Sequence, residues 1–137
     1  EVQIWPPGHP FPVPRQPSRS TSGLGSMDDL VVERVLVAVE QVPRGRVVSY
    51  GDIAALVGIG PRHVGAVLAT WGGNVTWWRV TNAAGDLPDH LLNTAFAHWA
   101  EEGITIKPSR RGCRIAAHRA DLVAWARDYA KRSAALR

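Results

Sequence analysis

The sequence predicts a mainly α-helical domain with one small β-hairpin, in a winged-helix-like arrangement. After residue 27, apolar residues recur at the three- and four-residue spacing of helices over most of the chain. Two short helical segments, one after Ser49 and one from Pro61, are joined by a Gly-Ile-Gly turn, which is typical of a helix-turn-helix. Extended sequence is brief and lies mainly on either side of the loop 107–112.

Length and composition indicate one ordinary globular domain. The chain has 137 residues, and its 16 Lys and Arg against 12 Asp and Glu give a formal net charge of +4. This charge permits a nucleic-acid partner through attraction to phosphates, but it does not specify one. The single cysteine, Cys113, excludes an internal disulfide and suits a reducing compartment. No apolar run approaches the roughly 20 residues of a membrane span, so we expect a cytoplasmic monomer without membrane contact.

The first 26 residues differ in composition from the rest. They contain six of the ten prolines and end in a run rich in serine and glycine, which resists helix and strand and cannot bury a core. The chain begins at Glu1, and its only methionine is Met27, where the periodic sequence starts. We therefore expect residues 1–26 to be a disordered, vector-derived leader and residues 27–137 to be the domain. A natural disordered arm is the alternative.

The helix boundaries follow from local signals. A first helix from Asp28 has four apolar residues on one face: Val32, Val35, Leu36 and Val39. After a brief extended piece at 47–48, Ser49 is an N-cap with Asp52 three residues on, and Gly58 ends the short second helix. Pro61 suits the first position of a third helix, because its missing N–H costs nothing there. The apolar stripe of this third helix is Val64, Leu68 and Trp71.

Two more helices and the hairpin are predicted beyond residue 90. One helix spans 91–102 and stops at Gly103, and a closing helix spans 118–130 with Leu122 and Trp125 facing inward. Between them, 104–106 and 113–115 are predicted to pair as the hairpin. Its loop carries basic residues that either contact phosphate as a wing or are solvated surface charge: Lys107, Arg110 and Arg111, with Arg114 beside them.

The outer face of the third helix is nearly smooth. Arg62, Gly65, Ala66 and Ala69 follow one another at helical spacing. A helix that reads bases in the major groove usually presents several Arg, Asn, Gln or Ser side chains, whereas this face has one arginine at its leading end. Such a face can press into a narrow groove and leave Arg62 free to probe the base stack. Alternatively, the small residues only allow close helix packing and Arg62 is a solvated charge.

Four segments in the same order resemble the O6-alkylguanine-DNA alkyltransferases, over about residues 28–107. Segment 42–54 is similar to the part of that family that carries the DNA-binding tyrosine, and 61–65 is similar to its Arg-Ala-Val-Gly. Trp77-Trp78-Arg79-Val80 stands where the family has Cys-His-Arg-Val, and 100–104 resembles its Glu-Glu-Gly stretch. Because the reactive cysteine and its partner histidine are both replaced by tryptophan, the chain resembles the alkyltransferase-like proteins.

The resemblance implies roles for individual residues in duplex DNA. Tyr50, next to Ser49, would press on the phosphate backbone near the lesion, and Arg62 would fill the space of a flipped base. The small face at Gly65, Ala66 and Ala69 would lie in the minor groove, with Asn74 as a hinge before the pocket loop. Residues expected in or beside the pocket for the alkylated guanine are Tyr50, Trp77, Arg79 and Val80.

The same resemblance implies binding without repair. Alkyl transfer needs a thiolate activated by a histidine and a carboxylate, and two indoles supply neither nucleophile nor base. Glu102 would keep a structural role only. We expect a non-enzymatic sensor of O6-alkylguanine in double-stranded DNA that needs no cofactor, is nucleoid-associated, and marks the lesion for nucleotide excision repair proteins.

The chain also departs from the family pattern, and alternatives remain. Trp78 replaces a histidine that alkyltransferase-like proteins usually keep, Thr76 replaces a proline, and the following lid is shortened to 86–90. Tyr50 is alternatively a core residue, and so is the Trp77-Trp78 pair or one of the two, in the first place Trp78. The five histidines show no metal-binding spacing. The other functions considered are a sequence-specific winged-helix regulator and an active alkyltransferase that uses Cys113.

Overall fold

The computed structural model describes residues 24–134 as a helical domain with a minimal sheet. The predicted leader lies outside the described residues up to residue 23, and its last three positions, 24–26, belong to the first helix. The mainly α-helical fold is confirmed. Its elements are α1 Leu24–Glu40, β1 Val48–Ser49, α2 Tyr50–Val57, α3 Pro61–Trp71, β2 Val80–Thr81, α4 Asp89–Glu102, α5 Ile115–His118 and α6 Leu122–Ser133, with 3₁₀ turns at Gly72–Asn74 and Trp77–Arg79.

The helix-turn-helix forms where local signals predict it. The Ser49 hydroxyl accepts a hydrogen bond from the Asp52 N–H at 3.0 Å, and the Asp52 carboxylate accepts one from the Ser49 N–H at 2.9 Å, which completes the predicted capping box. Gly58 ends α2 in the left-handed region at φ 93°, and Pro61 begins α3. The chain bends by 102° between α2 and the 61–74 segment, an angle typical of this motif.

The strand pairing differs from the prediction. The two-stranded sheet is parallel and joins Val48 to Val80 and Ser49 to Thr81, two segments more than 30 residues apart. The predicted hairpin forms only one antiparallel bridge, Ile106 to Cys113, because residues 111–113 also bond to the 85–87 segment and Ile115 already begins α5. The sheet therefore joins the start of α2 to residues 77–80, which we call the tryptophan segment.

The closing helix starts later than predicted. Asp121 caps α6 by accepting from the N–H groups of residues 123 and 124, and His118 instead ends α5. The intervening backbone pairs with Val47, whose N–H donates to the His118 carbonyl at 2.9 Å, and this pairing keeps it extended. Leu122 is 37% exposed, so its predicted inward orientation is wrong. Trp125 is buried as predicted and donates its indole N–H to the Ala38 carbonyl at 2.8 Å.

One core runs through all the longer helices. Its fully buried members come from α1, α2, α3 and α4 and from both strands: Val35, Val39, Val48, Ile53, Val64, Leu68, Val80 and Trp99. No single helix in the described part of the chain has both the length and the apolarity to cross a membrane, although α2 with the 61–74 segment meets these criteria as a bent pair.

The shortened lid after β2 is fastened to the loop that precedes α5. The Cys113 N–H donates to the Gly85 carbonyl at 2.8 Å, and the Lys107 ammonium donates to the Ala84 carbonyl at 3.0 Å and pairs with Asp86. The backbones meet so closely that a Cβ at Gly85 would lie 2.3 Å from the Cys113 carbonyl oxygen. The short lid is thus a fixed part of the fold.

We predict that Gly85→Ala destabilises the protein by about 1–3 kcal/mol more than Gly58→Ala. Both glycines have a positive φ, 90° and 93°, so both substitutions carry the same backbone strain of about 1–2 kcal/mol. Only the Cβ at Gly85 meets backbone atoms, since the space around Gly58 is open. Urea unfolding of both variants measures the difference, and equal losses would contradict the close contact at Cys113.

Candidate nucleic-acid interface

The exposed face of α3 begins with Arg62. Arg62 is exposed in the first turn, directly after the proline at the helix start. Ala66 is exposed one turn further and Ala69 is half-buried, and a contact of these residues with DNA stays a prediction. Gly65, however, is buried among the core residues of α3, which corrects its expected place on the outer face. Arg62 is therefore the long side chain among the residues predicted for this face.

Two other predicted DNA contacts occupy different environments. Asn74 is exposed at the end of the 3₁₀ turn that follows α3, so it is accessible between that helix and the tryptophan segment. Ser49 is 6% exposed and its hydroxyl is used in the capping box. Ser49 therefore acts as the N-cap of α2. Asp52 of the same box also pairs with Arg119 at 2.7 Å, which brings a further arginine beside α2.

Tyr50 is a core residue in this structure. Its side chain is 2% exposed, and burial raises the pKa of its hydroxyl well above the ordinary value of 10.0. A direct phosphate contact would need part of the ring at the surface. The structure therefore corrects the expected surface role of Tyr50 and agrees with the alternative that it is buried at the start of α2.

The two tryptophans lie in an aromatic cluster with a histidine from α4. Trp77 is 6% exposed, and its ring stands edge-on to Trp78 with centroids 5.7 Å apart and planes 85° apart. Trp78 is half-buried and stacks in parallel on His98, with centroids 3.5 Å apart and planes 5° apart. Sequence reasoning missed His98, although it precedes Glu102 by four residues on α4 and so shares its helix face.

Glu102 holds this cluster in place through four donors. Its carboxylate accepts from the Gly45 N–H at 2.9 Å, from the Trp78 indole N–H at 2.9 Å, and from the Nε and Nη2 of Arg79, the latter at 2.7 Å. Arg79 also donates to the Val42 carbonyl at 2.9 Å. All three guanidinium nitrogens donate in these contacts, so Arg79 supports the Glu102 cluster, and its expected place in the pocket stays a prediction. Val80 next to it is fully buried in β2.

The ionisation of Glu102 reflects two opposing effects. Partial burial raises its pKa, but the hydrogen bonds from Arg79, Gly45 and Trp78 and the charge of Arg79 outweigh it, so the pKa lies below the ordinary value of 4.5. The side chains of this ion pair are only 13% and 3% exposed. The expected structural role of Glu102 therefore fits its contacts.

Cys113 lacks the features of a reactive cysteine. It is fully buried, and burial raises the pKa of its thiol to about 11. The thiol is therefore protonated at neutral pH. Within residues 24–134, no three His, Cys, Asp or Glu side chains lie close enough together to hold a metal ion.

The surface near the lid has an open groove and part of the basic loop. The groove has a volume of about 600 Å³ and does not include the predicted pocket residues; it is lined by Ala84, Lys107, Pro108, Cys113, Arg114, Ile115, Ala116 and Ala117. In the loop, Arg110 lies over the Phe96 ring at 4.7 Å, and Arg110, Arg111 and Arg114 are all exposed. A contact of these arginines with phosphate stays a prediction.

The fold and this face define a small helix-turn-helix domain with an arginine at the head of its second helix and an aromatic segment after it. Residues 31–104 match the family model described as the DNA-binding domain of 6-O-methylguanine DNA methyltransferase. Because this match covers more than half of the chain, the chain belongs to that family, among its alkyltransferase-like proteins.

Individual relatives agree with this assignment. A DNA base-flipping protein of Vibrio parahaemolyticus is 35% identical over 65 residues, which make up 44% of this chain and 64% of that relative. The chain thus spans slightly less than two thirds of its length. The crystal structure of S. pombe Atl1 in complex with damaged DNA containing O6-carboxymethylguanine matches with a TM-score of 0.55 and 27% identity, over 71% of this chain and 94% of that one. A structure of S. pombe ATL in complex with DNA matches with a TM-score of 0.54 at the same identity and coverage.

We predict that Glu102→Gln lowers the free energy of unfolding by about 2 kcal/mol at pH 7, because it removes the charge from hydrogen bonds to Arg79 and Trp78. Because folding lowers the pKa of this carboxyl, its ionised form stabilises the folded protein at pH values above the unfolded-state pKa, near 4.5. This contribution is lost as the pH falls through the folded-state pKa. The difference between wild type and variant should therefore be constant above about pH 6 and shrink below pH 4.5.

Urea unfolding at pH 7 and at pH 3.5 measures this difference, with Glu101→Gln as the control on the exposed neighbouring residue. If the free energies of unfolding of wild type and Glu102→Gln differ by the same amount at both pH values, the cluster does not depend on the ionised carboxylate.

Proposed function

We propose that this protein recognises O6-alkylguanine in double-stranded DNA by flipping the damaged base, binds it without alkyl transfer, and marks the lesion for nucleotide excision repair proteins. The observation that carries this proposal is the exposed Arg62 at the head of α3, followed by the small exposed residue Ala66. The names of its relatives, a base-flipping protein and Atl1 bound to alkylated DNA, support the same function.

The geometry of α3 suits minor-groove entry. A helix with small surface residues can approach the groove floor closely, and a single long cation at its leading end can enter the base stack. Flipping a base costs a few kcal/mol of lost stacking, which an inserted side chain and the contacts of the flipped base offset. Arg62 is the exposed long side chain at this place in the described helix-turn-helix.

Trp77 is proposed as a wall of the pocket that receives the base. A ring that is almost covered by its neighbours suits a pocket wall better than a surface contact, because its orientation is fixed before the base arrives. Stacking of a base on an aromatic wall contributes about 1–3 kcal/mol. The backbone around Val80 would border the same pocket, while Asn74, exposed before it, would serve as the hinge.

The proposal of binding without transfer rests on the lack of a usable thiol in this region. The two residues aligned with the reactive cysteine and histidine are indoles, and the N–H of Trp78 already donates to Glu102. Cys113 is buried with a pKa of about 11. Since bound but unrepaired lesions are useful only as signals, we propose a cytoplasmic, nucleoid-associated monomer that hands the site to excision repair.

A paired titration tests the function. Two short duplexes, identical except for one O6-methylguanine, are titrated at matched physiological salt. We expect a preference for the damaged duplex of about tenfold or more, equivalent to ~1.4 kcal/mol, with the lesion unchanged afterwards. Equal affinity for both would reject lesion recognition and favour a sequence-specific winged-helix regulator.

In the same titration, we expect Arg62→Ala to weaken binding to the damaged duplex by about tenfold or more and to the undamaged duplex much less. The reason is that only a flipped base leaves a space for the side chain to fill. The control is Arg127→Ala, which removes the same charge from an exposed position on α6. If Arg62→Ala weakens both duplexes equally, Arg62 is only a phosphate contact.

We predict that neither the wild type nor Trp77→Cys takes up label from a duplex with a radiolabelled O6-methyl group. At the position of the family's activating histidine, Trp78 offers only an N–H that Glu102 already accepts, and the His98 ring near position 77 is held in the stack on Trp78. Cys113 contributes nothing, since its thiol is protonated and buried. An active alkyltransferase incubated with the same duplex is the positive control, and label on wild-type protein would overturn the non-enzymatic assignment.

A further inference from the structure

We propose that Trp78 and His98 act as one rigid unit that sets the orientation of Trp77 and thereby its selectivity for the damaged base. This inference rests on the proposed function and extends it to two residues with no assigned role. Trp78 and His98 lie 3.5 Å apart with nearly parallel rings, and both are almost perpendicular to Trp77, at 85° and 81°.

The stacked pair is fixed from several directions. The Trp78 indole N–H donates to the Glu102 carboxylate at 2.9 Å, and its backbone carbonyl accepts from the Trp99 indole N–H at 2.8 Å. Trp99 is fully buried, so this second bond connects the unit to the core. On the other side, His98 is carried by α4, the same helix that supplies Glu102. The Trp78 ring cannot turn without losing its hydrogen bond to Glu102, and the His98 ring cannot turn without losing its stack on Trp78.

Trp77 depends on neighbours for its orientation. Rotation of a tryptophan ring about its last torsion is soft, so the side chain alone does not select one orientation. Edge-to-face packing against both Trp78 and His98, at 5.7 and 6.1 Å, favours the perpendicular position. A Trp77 ring held in this way presents one fixed plane to a stacking base. A ring that is free to turn would have to be ordered when the base binds, and this cost would offset part of the stacking energy.

The first measurement does not use DNA. The protein is labelled with 5-fluorotryptophan, and the Trp77 resonance is assigned by its absence in Trp77→Phe. We expect one narrow Trp77 resonance in the wild type and a shifted or broadened one in His98→Ala. His98→Phe restores a stacking ring and should return the wild-type resonance. His90→Ala, an exposed histidine on the same helix, is the matched control and should change nothing.

The second measurement is the ratio of affinities for the O6-methylguanine duplex and the undamaged duplex. We expect this ratio to fall by about tenfold in His98→Ala, with binding to undamaged DNA unchanged, and to recover in His98→Phe. Trp78→His keeps a ring N–H for Glu102 but offers less surface to His98, so it should behave like His98→Ala. Thermal melting of each variant confirms that it is folded.

The outcomes separate the inference from the function on which it rests. A wild type that prefers damaged DNA, with a Trp77 resonance and a ratio that do not respond to His98→Ala, overturns the inference and leaves the function intact. A resonance that changes while the ratio does not also overturns it. A wild type without any preference rejects the proposed function and the selectivity claim together, and the fluorine spectrum then decides only whether His98 positions Trp77.

Discussion

The contacts of the Glu102 carboxylate determine the geometry of the candidate interface. At the end of α4 this group accepts hydrogen bonds from the turn after α1, through Gly45, and from the tryptophan segment, through Trp78 and Arg79. Burial opposes its ionisation, and these donors offset that cost, as the lowered pKa indicates. Arg79 extends the connection to the Val42 carbonyl. Three parts of the chain that are far apart in sequence are therefore held together at one charge, and the orientation of the aromatic cluster follows from it.

A second constraint links this cluster to the helix-turn-helix. The parallel pairing of Val48 with Val80 joins the start of α2 to the end of the tryptophan segment, and Val47 extends the connection to the backbone before α6. Arg62 and Trp77, which the proposed function uses as probe and wall, thus belong to one packed frame rather than to separate mobile parts. Their burial differs accordingly, since Arg62 is exposed and Trp77 is 6% exposed. In the proposed function, Arg62 has to reach into the DNA, whereas Trp77 has to keep a fixed position in the pocket.

Local signals in the sequence predict the elements, and long-range contacts explain the errors. The Ser49 capping box, Gly58, Pro61 and Gly103 mark helix boundaries through interactions within a few residues, and each boundary is confirmed. The start of α6 was predicted too early because the segment after His118 pairs with Val47, some 70 residues away, which no local pattern indicates. The resemblance carried no information on burial, so it gave surface roles to Tyr50 and Gly65, which are buried, and did not indicate the contacts of Arg79 with Glu102.

The same contacts bear on the proposed binding of a damaged base without alkyl transfer. A carboxylate as buried as that of Glu102 needs its hydrogen bonds, and a residue without a donor at position 78 would leave one of them unmade. The indole N–H of Trp78 supplies this bond at 2.9 Å, and the indole ring also stacks on His98. On the proposed function, the two indoles stand in place of a nucleophile and a base and so remove the chemistry, while Trp78 still donates to the carboxylate of Glu102. On the proposed function, the protein keeps the geometry for holding a damaged base because that geometry depends on Glu102 and the packing around it, and the side chain that would react is not needed for either.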